Sequence, residues 1–331
     1  MSKHKPYRYL IYLALELVRR FFLLLPRRAG QLIASGLALL IYGLLPKERA
    51  QMAFHLREAF GNEKTERDIR RISRNIFLHL AHSAADVLRF PKLNRARVER
   101  LVLLEEGTRK LDEALGRRKG AIVLTGHLGN WELLASYFRF LGYPGCLVGR
   151  RIYYEPYNRV LVSLRKSGLV ETIYRDESPR QLLEELRANH VVGMSADQDI
   201  DSLEGVFVPF FGRQSWTPIG PAKIAVAAKA PIVPAFMIHE RSQYRLYIED
   251  PIWPDGTLGK DEAVKQMTEK WSRIVENYVR CFPDQWVWMH DRWKTKQKLI
   301  PASKETRGAK PEQIVPEPSG QAAFFLGGDL P

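Results

Sequence analysis

His127 and Glu132 stand five residues apart in the stretch Ala121–Glu132, which reads AIVLTGHLGNWE. An imidazole takes up and releases protons near neutral pH, and a carboxylate that holds it fixes its tautomer and stabilises its charged form. The spacing sets a geometric condition. On one continuous helix the two would lie about 140° apart and would not share a face. A turn between them is required, and Gly126 and Gly129 permit one. Asn130 is suited to cap a helix beginning at Trp131, with Glu132 in its first turn. The apolar run before the histidine reads as a strand, so a strand delivers His127 to the mouth of a helix. An ordinary solvated histidine at a strand end is the simpler alternative, and the two glycines and the strand-to-helix context weigh against it.

Four other polar clusters lie downstream. Gly149-Arg150-Arg151, joined by Arg165 and Lys166, suits a phosphate or a developing oxyanion, or is a solvated basic face. Asp197, in Ala196-Asp197-Gln198-Asp199, follows a strand and falls where α/β folds place ligands; it could orient His127 or support an arginine. Pro209-Phe210-Phe211-Gly212, followed by Ser215, Thr217 and Pro218, could wall an acyl-chain groove or plug the core. The run Pro283–Lys294 holds three tryptophans among polar residues and fits a membrane interface or closure of the core. His55, His79 and His82 lack carboxylate or cysteine partners at a metal-ligand spacing.

The elements that must position these residues follow from periodicity. Short apolar runs alternate with helical segments from residue 121 to about 249, which predicts an α/β fold with a central mixed sheet flanked by helices. Strands are expected at Cys146–Gly149, Leu169–Tyr174, Val191–Ala196, Val206–Phe210, Ile232–Ile238 and Tyr244–Ile248. Helices are expected at Trp131–Phe140, Tyr157–Lys166, Pro179–Asn189 and Gly220–Ala230. Residues 46–118 read as charged amphipathic helices.

The first 46 residues are the most apolar. Tyr9–Leu25 is broken by Glu16, Arg19 and Arg20 and reads as an interfacial helix. Ala29–Leu45 is at the short end of the membrane-spanning range. The interruptions and the lack of a small-residue cleavage site argue against a secretory signal, and two buried helices of a soluble domain are the bland alternative. The division expected is 1–46 membrane-anchoring helices, 47–300 an α/β catalytic domain and 301–331 a tail without regular structure. With 51 Lys and Arg against 37 Asp and Glu, the net charge of +14 suits anionic partners. The basic residues are dispersed and carry no nucleic-acid reader motif. Two distant cysteines, Cys146 and Cys281, indicate no disulfide framework. The absence of a G-x-S-x-G elbow argues against a serine hydrolase.

Taken in order, the N-terminal apolar segment, His127-x4-Glu132, Arg150, Asp197-Gln198, Phe210-Phe211-Gly212…Thr217 and Trp288-x-His290-x-Arg292-Trp293-Lys294 resemble the bacterial lipid A biosynthesis (late) acyltransferase family, with its related phosphatidylinositol mannoside acyltransferases. The resemblance spans most of the chain. It implies a glycerolipid acyltransferase-like fold with a helical N-terminal membrane anchor at the cytoplasmic face of the inner membrane. It also implies transfer of a fatty acyl group from a thioester, on acyl carrier protein or coenzyme A, to a hydroxyl of a phosphorylated glycolipid such as a lipid A precursor. On that footing His127 is the general base and Glu132 orients it, Arg150 and Asp197 bind or support substrate with Gly129 and Asn130, and no cofactor or metal is needed. A non-catalytic membrane-binding protein would have no use for the His127–Glu132 arrangement.

Overall fold

The computed structural model describes residues 6–103, 107–177 and 179–296. The tail expected at 301–331 lies outside them. In chain order the helices are α1 (Pro6–Leu24), α2 (Arg27–Leu44), α3 (Pro46–Phe60), α4 (Glu66–Val87), α5 (Arg95–Leu101), α6 (Arg109–Gly116), α7 (Trp131–Leu141), α8 (Glu155–Ser167), α9 (Pro179–Arg187), α10 (Gly220–Ala228) and α11 (Lys260–Cys281). The strands are β1 (Val102–Leu103), β2 (Ala121–Thr125), β3 (Gly145–Gly149), β4 (Glu171–Tyr174), β5 (Val191–Ser195), β6 (Gly205–Phe210), β7 (Arg213–Pro218), β8 (Ile232–Glu240) and β9 (Gln243–Ile248).

Among the described residues seven strands form one sheet in the order β1-β9-β8-β2-β5-β3-β4. All neighbours run parallel except β8 and β9, which are antiparallel, so the sheet is mixed. β2 lies near its middle, and its five residues are all buried. The chain moves from β2 to β3 and β4, returns to β5 beside β2, and later fills the other side. The C-terminal ends of β2 and β5 thus flank a reversal of strand order, the position where open α/β sheets bind ligands.

Both faces of the sheet are covered, and strand alternation assigns them. Ala121, Val123, Val233, Ala235 and Met237 pack with Leu133, Tyr137 and Phe138 of α7 and with Val98 and Leu111. Ile122, Leu124, Ile232, Phe236 and Ile238 face the other way, onto the cluster holding Leu186, Ala225, Met267, Trp271 and Leu56. Burial on both sides explains why these strands read as continuous apolar runs.

One expected strand lies outside the sheet. Val206–Phe210 belongs to β6, which among the described residues pairs only with β7, in an antiparallel hairpin. Phe211 and Gly212 both have positive φ, +51° and +69°, at the two-residue connection, as a type I′ turn demands. Ser215 and Thr217 lie on strand β7, and α10 begins just after it at Gly220.

The N-terminal helices are half-covered. α2 sets the small residues Gly30, Ala34 and Ala38 inward, and Phe22 of α1 packs with Ala34 and Ala85. Leu10, Leu17 and Leu24 of α1, and Leu32, Leu37, Leu40 and Leu44 of α2, remain exposed. Among the described residues no single helix is long and apolar enough to cross a membrane. By length and composition only the bent pair Arg27–Leu44 and Pro46–Glu63, meeting at 89°, reaches that criterion.

Candidate active site

The register of β2 on β5 aligns Thr125 with Ser195. Two residues beyond each strand end stand His127 and Asp197, side by side on the same sheet edge. His127 Nδ1 lies 2.8 Å from Asp197 Oδ1, and the His127 backbone N–H donates to Oδ2 at 2.7 Å. Trp286 Nε1 donates to the same Oδ2 at 2.8 Å. Three bonds therefore fix one carboxylate beneath one imidazole. Gly126 leaves it room, since a Cβ there would stand 3.1 Å from Asp197 Oδ2. A carboxylate on Nδ1 selects the tautomer that leaves Nε2 unprotonated. Nε2 has no partner among the described residues, and the His127 side chain is 28% exposed.

The electrostatics follow from that geometry. Burial alone would drive the Asp197 carboxyl up, but the charge of His127 and the hydrogen bonds from His127 and Trp286 outweigh it and hold the group down at about 2. Burial lowers the His127 imidazole; the charge and hydrogen bond of Asp197, with the charge of Glu132, reverse this and raise it above its ordinary 6.5. His127 is a strengthened base held by an ionised partner.

The contact expected of Glu132 is thus made by Asp197. Glu132 is instead held by Arg165 of α8 through two bonds, 2.9 Å from Nε and 2.6 Å from Nη2. Side-chain exposures of 10% and 12% make this a largely buried pair. The physical reason is Glu132's place in the first turn of α7, which aims it toward α8 while β5 delivers a carboxylate straight to the imidazole. Glu132 still acts on His127 through its charge. Arg165 is consequently not free for a phosphate.

Gly129 and Asn130 shape the loop. Gly129 has φ +64°, and a Cβ there would meet the Met237 carbonyl oxygen at 2.1 Å. Its N–H donates to Gln285 O at 3.0 Å, and its carbonyl accepts from His79 Nε2 at 3.0 Å. Asn130 caps α7 by accepting from the Leu133 N–H at 3.0 Å, and its Nδ2 donates to Tyr244 Oη at 3.2 Å. Tyr244 donates onward to Asp86 at 2.8 Å, and Arg27 holds Asp86 with two bonds of 2.8 Å. Asn130 is 2% exposed, so it supports the loop from within. Arg150 stands exposed just past β3, on the same sheet edge. Two strand spacings, roughly 10 Å, separate β3 from β2.

The tryptophan-rich ending closes the site and the core. Leu128 bridges to Trp286, and the Val287 N–H donates to His127 O at 3.2 Å. Trp286, Trp288 and Trp293 are buried, and the rings of Phe210 and Phe211 pack against them. The phenylalanines therefore plug the core, and these tryptophans do not face an interface. Two residues escaped sequence reasoning: Trp286 as donor to Asp197, and His79 as donor to Gly129. Its signal was its place on the buried face of α4 with Ile69, Ile72 and Ile76.

An apolar crevice runs beneath α7, lined by Val123, Leu134, Phe138, Leu147, Val170 and Met194. Thr125 and Trp131 line it as well, and the Trp131 ring meets His127 edge-on, 5.1 Å between centroids.

Residues 1–295 match the family model described as bacterial lipid A biosynthesis acyltransferase. A phosphatidylinositol mannoside acyltransferase of Mycobacterium tuberculosis is 28% identical over 213 residues, covering 63% of this chain and 66% of that protein. A protein of the same description from Mycolicibacterium smegmatis is 25% identical over 63% of this chain and 67% of its own length. The lipid A biosynthesis lauroyltransferase of Escherichia coli (strain K12) is 24% identical over 202 residues, 59% of this chain and 63% of the relative. The chain thus spans about two thirds of the length of the curated relatives it matches.

Proposed function

We propose, from the premise that the chain belongs to the bacterial lipid A biosynthesis acyltransferase family, that it moves a fatty acyl group from a thioester to a hydroxyl of a phosphorylated glycolipid. The observation that carries the reading is the His127–Asp197 pair with its open Nε2, placed beside an apolar crevice that shares Trp131 with the site. His127 Nε2 takes the proton of the acceptor hydroxyl as its oxygen bonds to the thioester carbonyl carbon. Asp197 stabilises the imidazolium so formed. The tetrahedral intermediate collapses, the carbon–sulfur bond breaks, and the thiolate takes the proton back from His127 and leaves as a thiol. No covalent acyl-enzyme forms, and the histidine ends as it began. Trp131 and the mouth of the crevice beneath α7, about 40 Å³ in this structure, meet the first carbons of the acyl chain, which an apolar lining favours.

Arg150 is the exposed cation for the acceptor phosphate or the oxyanion. Glu132 acts as a positioning residue, restraining Arg165 and lending charge to His127. The donor is an acyl carrier protein thioester, and the acceptor a lipid A precursor at the cytoplasmic face of the inner membrane. In a second reading the donor is an acyl coenzyme A and the acceptor a phosphatidylinositol mannoside, the acceptor favoured by the 28% identity to a phosphatidylinositol mannoside acyltransferase. Incubating the full chain with each donor and each acceptor, with mass spectrometry of the lipid, distinguishes the two. Lack of acylation with every pairing would overturn both.

A further inference from the structure

The first turns of α4 carry arginines at positions 67, 70, 71 and 74, the i, i+3, i+4, i+7 spacing that gathers side chains on one helix face. All four are exposed. Like charges so placed repel one another and destabilise a helix unless an anion lies among them. The nearby acids supply little. Glu66 is taken bidentately by Arg57 at 2.6 and 2.8 Å, and Asp68 pairs with Arg71 at 2.7 Å. Among the described residues no acid hydrogen-bonds Arg67, Arg70 or Arg74.

These arginines do not merely decorate a convex face. Together with Tyr42 of α2 they line an open surface depression of about 440 Å³. Arg49 of α3 lies over the Tyr42 ring at 5.0 Å, and its Nε is buried without a hydrogen-bond partner. A fifth guanidinium thus adjoins the same tyrosine.

The surroundings identify the ligand class. α2 runs antiparallel to α4, Arg27 reaching Asp86 and Tyr42 touching Phe77. The C-terminal part of α2 is consequently the neighbour of the arginine face, and it exposes Leu37, Leu40, Ile41 and Leu44. Cations beside exposed apolar side chains match a lipid, with phosphate at the arginines and acyl chains along the helix. An open depression lined by guanidinium groups admits a phosphate headgroup. We propose that Arg67, Arg70 and Arg74, with Tyr42 and Arg49, form a binding site for the phosphate headgroup of an anionic phospholipid, separate from the His127 site.

The test uses the full chain and vesicle co-sedimentation, with phosphatidylcholine vesicles and with a phosphatidylcholine–phosphatidylglycerol mixture. A triple variant, Arg67→Gln, Arg70→Gln and Arg74→Gln, should lose at least about tenfold in affinity for the mixed vesicles. Binding to the neutral vesicles should be unchanged. A control triple of equal charge, Arg118→Gln, Lys119→Gln and Arg187→Gln, should retain wild-type affinity for both. These controls are exposed and belong to other elements, Arg118 and Lys119 to the connection between α6 and β2 and Arg187 to α9. Matching thermal melts of the two triples establish that both are folded; a variant that fails to melt like the wild type is replaced by the single Arg70→Gln, for which a smaller loss is expected. Undiminished binding of the first variant to mixed vesicles, or an equal loss in the control triple, would overturn the site. Undiminished vesicle binding together with lost binding to purified acyl carrier protein, measured in parallel on the same variant, would overturn the lipid assignment in favour of a protein partner.

Discussion

At the scale of single residues the site turns on which carboxylate holds His127, and the two candidates behave differently on titration. The proposed reaction needs a neutral imidazole, so turnover should fall as pH drops through the raised His127 value. Asp197→Asn removes the largest upward influence, so the acid limb should move to lower pH while turnover falls on the order of 10²–10⁴-fold. Glu132→Gln removes a weaker charge and should move the limb less. Its main cost is structural, since Arg165 is left buried without its acid, which costs about 3 kcal/mol and lowers the melting temperature. A pH–rate profile of both variants decides the matter, and an acid limb that shifted only with Glu132→Gln would return the orienting role to that residue. Stability carries its own signs. The folded Asp197 value is depressed to about 2, so its contribution is present above the unfolded value near 3.9 and vanishes as pH falls toward 2. The raised His127 contributes fully below about 6.5 and loses that contribution as pH climbs through its folded value.

At the scale of elements, the strand-to-helix transition at 121–132 depends on a crowded turn. Gly129→Ala combines a positive φ with a Cβ placed 2.1 Å from a carbonyl oxygen, so it should reduce the yield of folded protein, read by circular dichroism. Asn130→Ala removes a helix cap, for which about 1 kcal/mol is typical, and leaves Tyr244 and Asp86 without one link to the loop. Its melting temperature should fall measurably with the overall fold kept. Much of this was legible: the apolar runs gave β2, β3, β5, β8 and β9 to within a few residues, and the two glycines and Asn130 gave the turn and cap. The partner of the imidazole was less so, because pairing β2 with β5 requires strand order, and local sequence offers Glu132 five residues away but Asp197 seventy. Knowing that Thr125 aligns with Ser195 makes the contact immediate. The β6–β7 hairpin was missed for another reason: a turn with Phe at its first position lacks the Asn-Gly or Asp-Gly sign of a type I′ connection. The tryptophan ending looked interfacial because amphipathic rings serve both settings, and only packing against Phe210 and Phe211 separates them.

At the scale of the whole molecule, one end of the chain presents apolar side chains to solvent while the proposed reacting residues sit at the sheet edge, and α2 ties the two through the links Arg27–Asp86–Tyr244–Asn130. Charge and apolar area should make separable contributions to the proposed membrane attachment. Attraction of surface arginines to anionic headgroups is screened over about 8–10 Å at physiological salt, whereas burial of leucine in lipid is not screened. Leu10, Leu17 and Leu24 of α1 are 65%, 71% and 82% exposed, so replacing them disturbs little of the core. Fully burying each is worth about 1.5–3 kcal/mol, so the triple variant Leu10→Gln, Leu17→Gln, Leu24→Gln should lose most partition into neutral vesicles. It should keep a salt-sensitive residual affinity for anionic ones, and it should turn over a water-soluble short-chain acceptor at the parent rate, because His127, Asp197 and Trp286 are untouched. Sedimentation across a salt series, paired with that soluble assay, reads both quantities. Unchanged partition into neutral vesicles would remove α1 from the attachment, and a matching loss of soluble turnover would mean that α1 supports the active site.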